Sequence, residues 1–428
     1  MAQVSPARTG TLLKAIGPGI MYAGAAIGVS HLVQSTRAGA GWGFALVWIV
    51  VLVHLFKYPF FEYSHRYTAA TGETLLHGYR RLGRWAIGLY LALILILCIP
   101  TGAVLTIVTA GLAKEVFPLD LTLMHWILIM LAASLLILGL GGYPVLDRVM
   151  KIMMVFLALT TLVAVAAAAW HGSQAAPNFP PPQIWDKVGI GFLIAFMGWM
   201  PTPVDCSAWP SLWMIERAIQ TGHRPTLSES LFDFNLGYGA TFAMALVFLS
   251  LGALVMYGTG DSIQEKADLF AAQFINMYTT ALGDWSRPVI VTAALITMLS
   301  TTLTVYDAYP RVLRECCRHA RSRSADEAPE GKPSTAMYWV FLIAMVLGSL
   351  AIFQFLTSHM RTLVDGVTSL AFLSAPVVAY LNWRVIRLPT VPSDKRASRA
   401  LLTLGVLGLI FLTCFGAWFL VVQFGGRP

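Results

Sequence analysis

The chain has 428 residues, of which 57% are hydrophobic and only 12% charged, with a formal net charge of +8. Soluble domains carry about a quarter charged residues, so the apolar surplus must face lipid, and a chain of two or three soluble domains is excluded. No basic helix or basic-aromatic platform accompanies the positive balance, which argues against a nucleic-acid partner. The scattered Cys98, Cys206, Cys316, Cys317 and Cys414 build neither a disulfide framework nor a paired CxxC zinc site.

In chain order, Met1–Gly10 is short and polar. The apolar stretch after it lacks an A-x-A-like cleavage site and reads as a retained first span, not a signal peptide. A helix crossing hydrocarbon needs roughly 20 mostly apolar residues. That ruler predicts spans at Leu12–Thr36, Trp42–Tyr63, Trp85–Ala113, Thr122–Leu140, Val149–Trp170, Gly189–Trp213, Leu236–Tyr257, Pro288–Tyr309, Tyr338–Leu356, Leu363–Trp383 and Leu401–Val422. The expected class is an all-α integral membrane protein of about eleven transmembrane helices, since a membrane barrel would show short alternating segments. With the N-terminus cytoplasmic, 22 of the 29 Lys and Arg residues fall on inside segments, the bias that the positive-inside rule demands. This expects a multi-pass protein of the cell (inner) membrane with its C-terminus outside. The clusters Arg80 to Arg84, Arg311 to Arg323 and Arg384 to Arg399 read as anchors to an anionic leaflet, and Arg318 to Ser334 as a polar cytoplasmic linker.

Two spans do not read as continuous helices. The first carries Gly17, Pro18, Gly19, Gly24 and Gly28; the sixth carries Gly198, Pro201 and Pro203 at its centre. Proline removes an amide hydrogen and glycine weakens helix further, and in lipid the freed backbone is tolerated only where protein, water or a ligand satisfies it. One such break is more often a packing kink. Two in corresponding spans, each flanked by polar residues, point to an inverted-repeat transporter with its site between the breaks.

These residues carry a resemblance. The opening Gly17-Pro18-Gly19, then Arg37-Ala38-Gly39-Ala40 with Trp42-Gly43, is similar to the first span of the Nramp family of divalent-metal transporters. Arg66 with Thr71-Gly72, Met200-Pro201, and Ser300-Thr301-Thr302 with Thr304 resemble that family's second-span exit, sixth-span Met-Pro-His and eighth-span Ser/Thr run. The resemblance implies a leucine-transporter-like fold: an inverted repeat of five helices in residues 1–170, five more in 189–383, and an additional helix at 401–422. The departures fall in the site. The family's Asp-Pro-Gly-Asn aligns with Gly28-Val29-Ser30-His31, its Met-Pro-His becomes Met200-Pro201-Thr202, a second histidine becomes Ser207, and third-span acidic residues tied to proton transfer fall on Pro100 and Ala103. The resemblance therefore implies transport of a divalent metal through a remodelled site without that proton path.

The substrate is expected to touch Gly24, Gly28, Ser30, His31, Met197, Met200, Thr202 and Asp205, with His31, Met200, Asp205 and Cys206 as ligands if it is a metal. His31 is either a ligand, a substrate partner and switch, or a cap for the backbone exposed at the break. Met200 is a soft ligand or a gap-filler. Asp205 either replaces the lost carboxylate or caps the second half-helix. Thr202, Ser207, Thr301, Thr302 and Thr304 bond back to their own helices or line the path. His54, Lys57, Glu62 and His65 read as a snorkelling interfacial cluster, Asp307 as a partner of Arg311 one turn on, and Trp213 as part of an interfacial belt, with Trp199 open. Enlarging Gly28 to Leu is expected to fill the site. The alternative on the same scaffold is a small organic solute, such as a carboxylate, held by half-helix amides in the space left by Gly24 to Gly28. An enzyme has no HExxH, nucleophile elbow or paired-carboxylate motif to support it. No cofactor is expected; the partners are the transported species and the bilayer, and the oligomeric state stays open.

Overall fold

The computed structural model describes residues 15–425 except 118, 177–178, 261–263, 323, 326–332 and 357–358, with the backbone alone at 141–151, 153, 154, 157 and 281. Met1–Gly10 and much of the linker before Ser334 therefore lie outside the described residues. Fourteen α-helices and no strand occur among the described residues. They are α1 (Pro18–Ala26), α2 (Thr36–Trp42), α3 (Val47–Thr71), α4 (Leu75–Leu82), α5 (Arg84–Val116), α6 (Leu123–His171), α7 (Lys187–Trp199), α8 (Trp209–Thr221), α9 (Leu227–Val255), α10 (Ala267–Leu282), α11 (Arg287–Arg321), α12 (Thr335–Leu356), α13 (Met360–Val385) and α14 (Arg399–Phe424).

Local chemistry sets the boundaries. Thr226 and Glu229 form a reciprocal capping box that starts α9 nine residues before the expected Leu236. Asp186 accepts the amide of Gly189 at the start of α7, and Gly72, at φ +75°, ends α3 in the left-handed region that glycine enters freely. Pro59, Pro100, Pro310 and Pro376 sit inside continuous helices. Proline alone is thus no mark of an interruption in this chain.

Among the described residues, nine helical segments are long and apolar enough to cross a membrane, against the eleven expected. Two causes account for the difference. The expected first span is divided: α1 is too short to count, and its continuation Ser30–Ser35 runs through α2 into α3. The expected fourth and fifth spans are joined, because Leu123–His171 is helical throughout and has no loop at Gly141, Gly142 or Pro144. Apolar surroundings keep backbone groups bonded within the helix even at glycine and proline. Both ends of α6 still lie at the same end of the bundle, as two antiparallel crossings require: Trp126 stacks on Phe117 beyond α5, and the amide of Gln174 donates to Leu254 O near the end of α9. The amphipathic helices α4 and α10 had no counterpart in the span reading.

The site is positioned by pairs of packed helices: α5 on α11, α7 on α13, and α9 against α1 and α2. The glycine of the Arg37 motif serves the last of these. A Cβ on Gly39 would stand 2.0 Å from Leu249 O, so only glycine lets α2 lie this close to α9. One end of the bundle carries Arg37, the Lys114–Asp268 pair at 2.8 Å and the Arg287–Glu115 pair at 2.9 Å. The opposite end gathers the ends of α3, α8 and α11, where the Arg80 guanidinium donates to the carbonyls of His319 and Ser322.

Candidate substrate site

Two interruptions face each other in the interior. The first lies between α1 and the π-helical turn Ser30–Ser35, with Ile27 at φ −78°, ψ 76°. The Gly17-Pro18-Gly19 motif is not the break. It begins α1, and Asp233 of α9 accepts the amides of Gly17 and Gly19 at 3.1 and 2.6 Å. The carbonyls freed at the break are met by neutral donors. Thr301 of α11 donates its hydroxyl to Gly24 O at 2.9 Å and stands 3.3 Å from Ile27 O. Ser30 Oγ and His31 Nδ1 lie 2.5 and 3.0 Å from Ala26 O, and His31 Nε2 lies 3.0 Å from Thr241 O. Both nitrogens of the fully buried imidazole are thus taken by the fold.

The second interruption runs from Met200 to Pro203, between α7 and the 3-10 turn Val204–Ala208. Its freed carbonyls are met by a charge. The Lys57 side chain, wholly buried, crosses from α3 and donates to Met197 O, Gly198 O and Thr202 O at 2.6, 3.0 and 3.4 Å. This corrects the snorkelling cluster. His54, Lys57, Glu62 and His65 are all buried; Glu62 binds Arg66, and the two imidazoles turn back onto Val50 O and Phe61 O. Tight packing of α3 inside the bundle denies all four a route to water.

Beyond the break, Asp205 caps no helix end. It is 1% exposed, its Oδ2 accepts the Tyr309 hydroxyl at 3.1 Å, and its Oδ1 has no hydrogen-bond partner. Ser207 binds Asn382 of α13 at 2.7 Å. Trp213 is buried rather than interfacial. Asp307 does pair with Arg311, at 2.7 Å.

Between the interruptions lies a narrow cavity with about 330 Å³ of atom-free space. The first break contributes Ala25, Ala26, Val29 and Ser30, and the second Trp199, Thr202, Pro203, Cys206 and Trp209. Helices α5 and α11 close the remaining wall with Thr101, Leu105, Thr301 and Val305. Of the residues singled out in the sequence, Ser30, Thr202 and Cys206 face this cavity, whereas His31, Met197 and Met200 do not line it. Gly24 and Met197 contribute through their backbone carbonyls, to Thr301 and Lys57 respectively. Gly28 packs directly on α11: an added Cβ would meet Thr301 Oγ1 at 2.5 Å, so Gly28→Leu would break helix packing instead of filling the cavity. Thr302 and Thr304 bond back to Met298 and Ser300, leaving Thr301 alone of that run at the cavity. No group of three or more His, Cys, Asp or Glu side chains is gathered for a metal among the described residues; His31, Asp205 and Cys206 are not brought together. Lys57 and Asp233 were missed as site residues because their partners are more than a hundred residues away. The one available signal was a lysine in mid-span.

At the Arg37 end the cavity is roofed. Arg37 makes a two-pronged ion pair with Asp365 of α13, at 2.6 and 2.9 Å, and lies 5.1 Å from the Phe192 ring centroid of α7.

Comparison with known proteins agrees with this architecture. The profile of the natural resistance-associated macrophage protein-like (Nramp) family matches residues 19–422. An uncharacterized protein of Pasteurella multocida is 35% identical over 414 residues, covering 96% of this chain and 93% of its own length. The divalent metal cation transporter MntH of Lacticaseibacillus casei is 22% identical, over 69% of this chain and 66% of its own length. Among solved structures, a mutant of the Eremococcus coleocola manganese transporter matches with TM-score 0.74 at 14% identity, covering all of this chain and 91% of that one. The same transporter in complex with an aromatic bis-isothiourea substituted compound matches with TM-score 0.72 at 16% identity, with the same coverage. At such identity these two structures speak to the fold.

Proposed function

Because the chain belongs to the Nramp family and is a multi-pass membrane protein, we propose that it is a secondary transporter moving a divalent metal ion through a remodelled site. The observation that carries this reading is Asp205 Oδ1, a buried carboxylate oxygen without a hydrogen-bond partner. Leaving a carboxylate oxygen unmet in the interior is costly, and a cation is the natural remedy. The Cys206 thiol and the Thr202 and Ser30 hydroxyls face the same cavity. A thiol donor favours transition metals over magnesium, and an ion keeping part of its water needs few further protein ligands. In this reading His31 serves the first break, not the ion. The divalent metal specificity of the MntH relatives supports the same class of cargo.

The repeats run, in this proposal, from 1–170 and 189–383 as two inverted sets of five helices, with 401–422 added and helices one and six broken. The paired interruptions support it. The Lys and Arg bias puts the N-terminus in the cytoplasm and the Arg37 end outside. Pro100 and Ala103 cannot titrate, so metal movement is not coupled to protons by the family's third-span route. Proteoliposome uptake should proceed without a stoichiometric proton flux.

A second reading, a small organic solute, rests on one observation: Trp199 and Trp209 form an aromatic wall of the cavity, with no carboxylate among its lining residues. A thermal-shift screen of the purified protein separates the two. The metal reading expects saturable stabilisation by Mn²⁺ or another divalent ion, lost in Asp205→Asn. Stabilisation by small carboxylates or amino acids, with none by divalent ions, would establish the solute reading instead.

A further inference from the structure

We propose that the carbonyls at the second interruption form a monovalent-cation site, and that Lys57 fills it with its own ammonium as a tethered cation. The inference holds whichever cargo the cavity takes.

The end of α7 is built to attract positive charge. The last carbonyls of a helix have no intrahelical partners and carry the negative end of its dipole. Here Met197 and Gly198 belong to that last turn, and Thr202 adds a carbonyl from beyond the break. Oxygen atoms converging from both sides of a helix break are the donor set of an alkali-metal site. Lys57 Nζ stands at their focus.

The charge state follows from counting hydrogens. A carbonyl oxygen only accepts, and Nζ lies within hydrogen-bond reach of three of them. A neutral amine has two N–H bonds; three donations need the ammonium. No described carboxylate lies within ion-pair distance of Nζ, so the carbonyls do the solvating that an acid usually does for a buried lysine. Position rules out the ordinary alternative. Lys57 is the eleventh residue of the 25-residue α3, on the order of 15 Å along the helix from either end, too deep for its head to reach water.

A side-chain cation differs from a dissolved one in a way that matters for transport. It cannot leave with the cargo, so a Na⁺ or K⁺ gradient has no purchase at this site. The chain carries permanently the charge that a broken helix would otherwise borrow from solution.

The test uses purified wild type, Lys57→Ala and Lys57→Met in choline chloride, free of divalent metal. Choline is exchanged stepwise at constant ionic strength for Na⁺, K⁺, methylammonium or ethylammonium, and the melting temperature is followed. The wild type should be flat. Lys57→Ala should gain a saturable rise of about 3 °C with a small cation that enters the vacated volume. Lys57→Met, whose side chain fills that volume without charge, should be less stable than wild type and unresponsive. If Lys57→Ala is extracted only as aggregate, its recovery as monodisperse protein in ethylammonium but not in choline counts as the same result. A flat Lys57→Ala, a Lys57→Met as stable as wild type, or no recovery in any cation would overturn the proposal. Because no divalent ion is present, each of these outcomes is independent of the metal reading.

Discussion

The two interruptions solve one problem with different chemistry. At Ile27 the loose carbonyls are bound by Ser30, His31 and Thr301, none of which needs a charge to do so. At Met200 they are bound by a lysine head brought from another helix. Local, neutral donors make the first break a self-contained piece of scaffold that packs on α9 and α11. The second is held from a distance and from one point. Its geometry therefore depends on α3 staying in place, and anything that moves α3 against α7 also alters the electrostatics of the cavity.

The comparison breaks most visibly at Lys57. In Lys57→Met three carbonyls lose their donor at once, and since each unmet buried group costs about 1–3 kcal/mol, we expect a loss of about 3 kcal/mol or more. Thermal unfolding in detergent should show this as the largest destabilisation of the set, together with loss of uptake. Equal stability of Lys57→Met and wild type would make the two breaks alike after all.

His31→Ala comes next. It strips a donor from Ala26 O and another from Thr241 O, for about 2 kcal/mol. Because His31 does not line the cavity, divalent-ion affinity of the surviving folded protein should change little. A tenfold loss of affinity without loss of stability would return His31 to the ligand set.

Thr301→Val tests the same break more gently. The substitution keeps the shape against Gly28 but removes the hydroxyl from Gly24 O, leaving Ser30 and His31 in place, so about 1 kcal/mol is expected. Melting temperatures of Thr301→Val, His31→Ala and the double variant should fall short of additivity, since the two residues serve adjoining carbonyls.

Arg37→Ala should have the smallest effect on stability. Asp365 is 32% exposed, and partly solvated ion pairs contribute about 0.5–1 kcal/mol. Its effect belongs to access. With the roof loosened, Cys206 should react faster with a membrane-impermeant maleimide added from the Arg37 end. An unchanged rate would mean that this ion pair does not close the cavity.

Much of the fold was legible because membranes make few demands and make them strongly. Long apolar runs located nearly every crossing, and the glycine and proline pairs marked the right two spans. Even so, the first break falls at Ile27 and Gly28, past the Gly17-Pro18-Gly19 that drew attention, because proline at the first turn of a helix starts it instead of stopping it. The capping box at Thr226 and Glu229 was readable and would have placed α9 correctly. The candidate site was only half legible. Ser30, Thr202 and Cys206 face the cavity because they lie beside the breaks, within a turn of the backbone that bends around it. For His31, Asp205 and Lys57, chemistry alone was ambiguous: a buried imidazole, carboxylate or ammonium has several possible roles, and which one it takes depends on what stands 3 Å away.

That separation has a physical basis. Transfer of side chains into lipid is additive along the chain, so composition and periodicity suffice for helices, for the Lys and Arg asymmetry, and for the places where backbone bonds must be lost. Satisfying those lost bonds is a matter of short-range, directional contact between helices. Lys57 meets Met197 across 140 residues, Asp233 meets Gly17 across 216, and Arg37 meets Asp365 across 328. No local pattern encodes such meetings. They exist only once α3, α9 and α13 have packed, and it is that packing which turned an apparent interfacial lysine into the charge at the centre of the molecule.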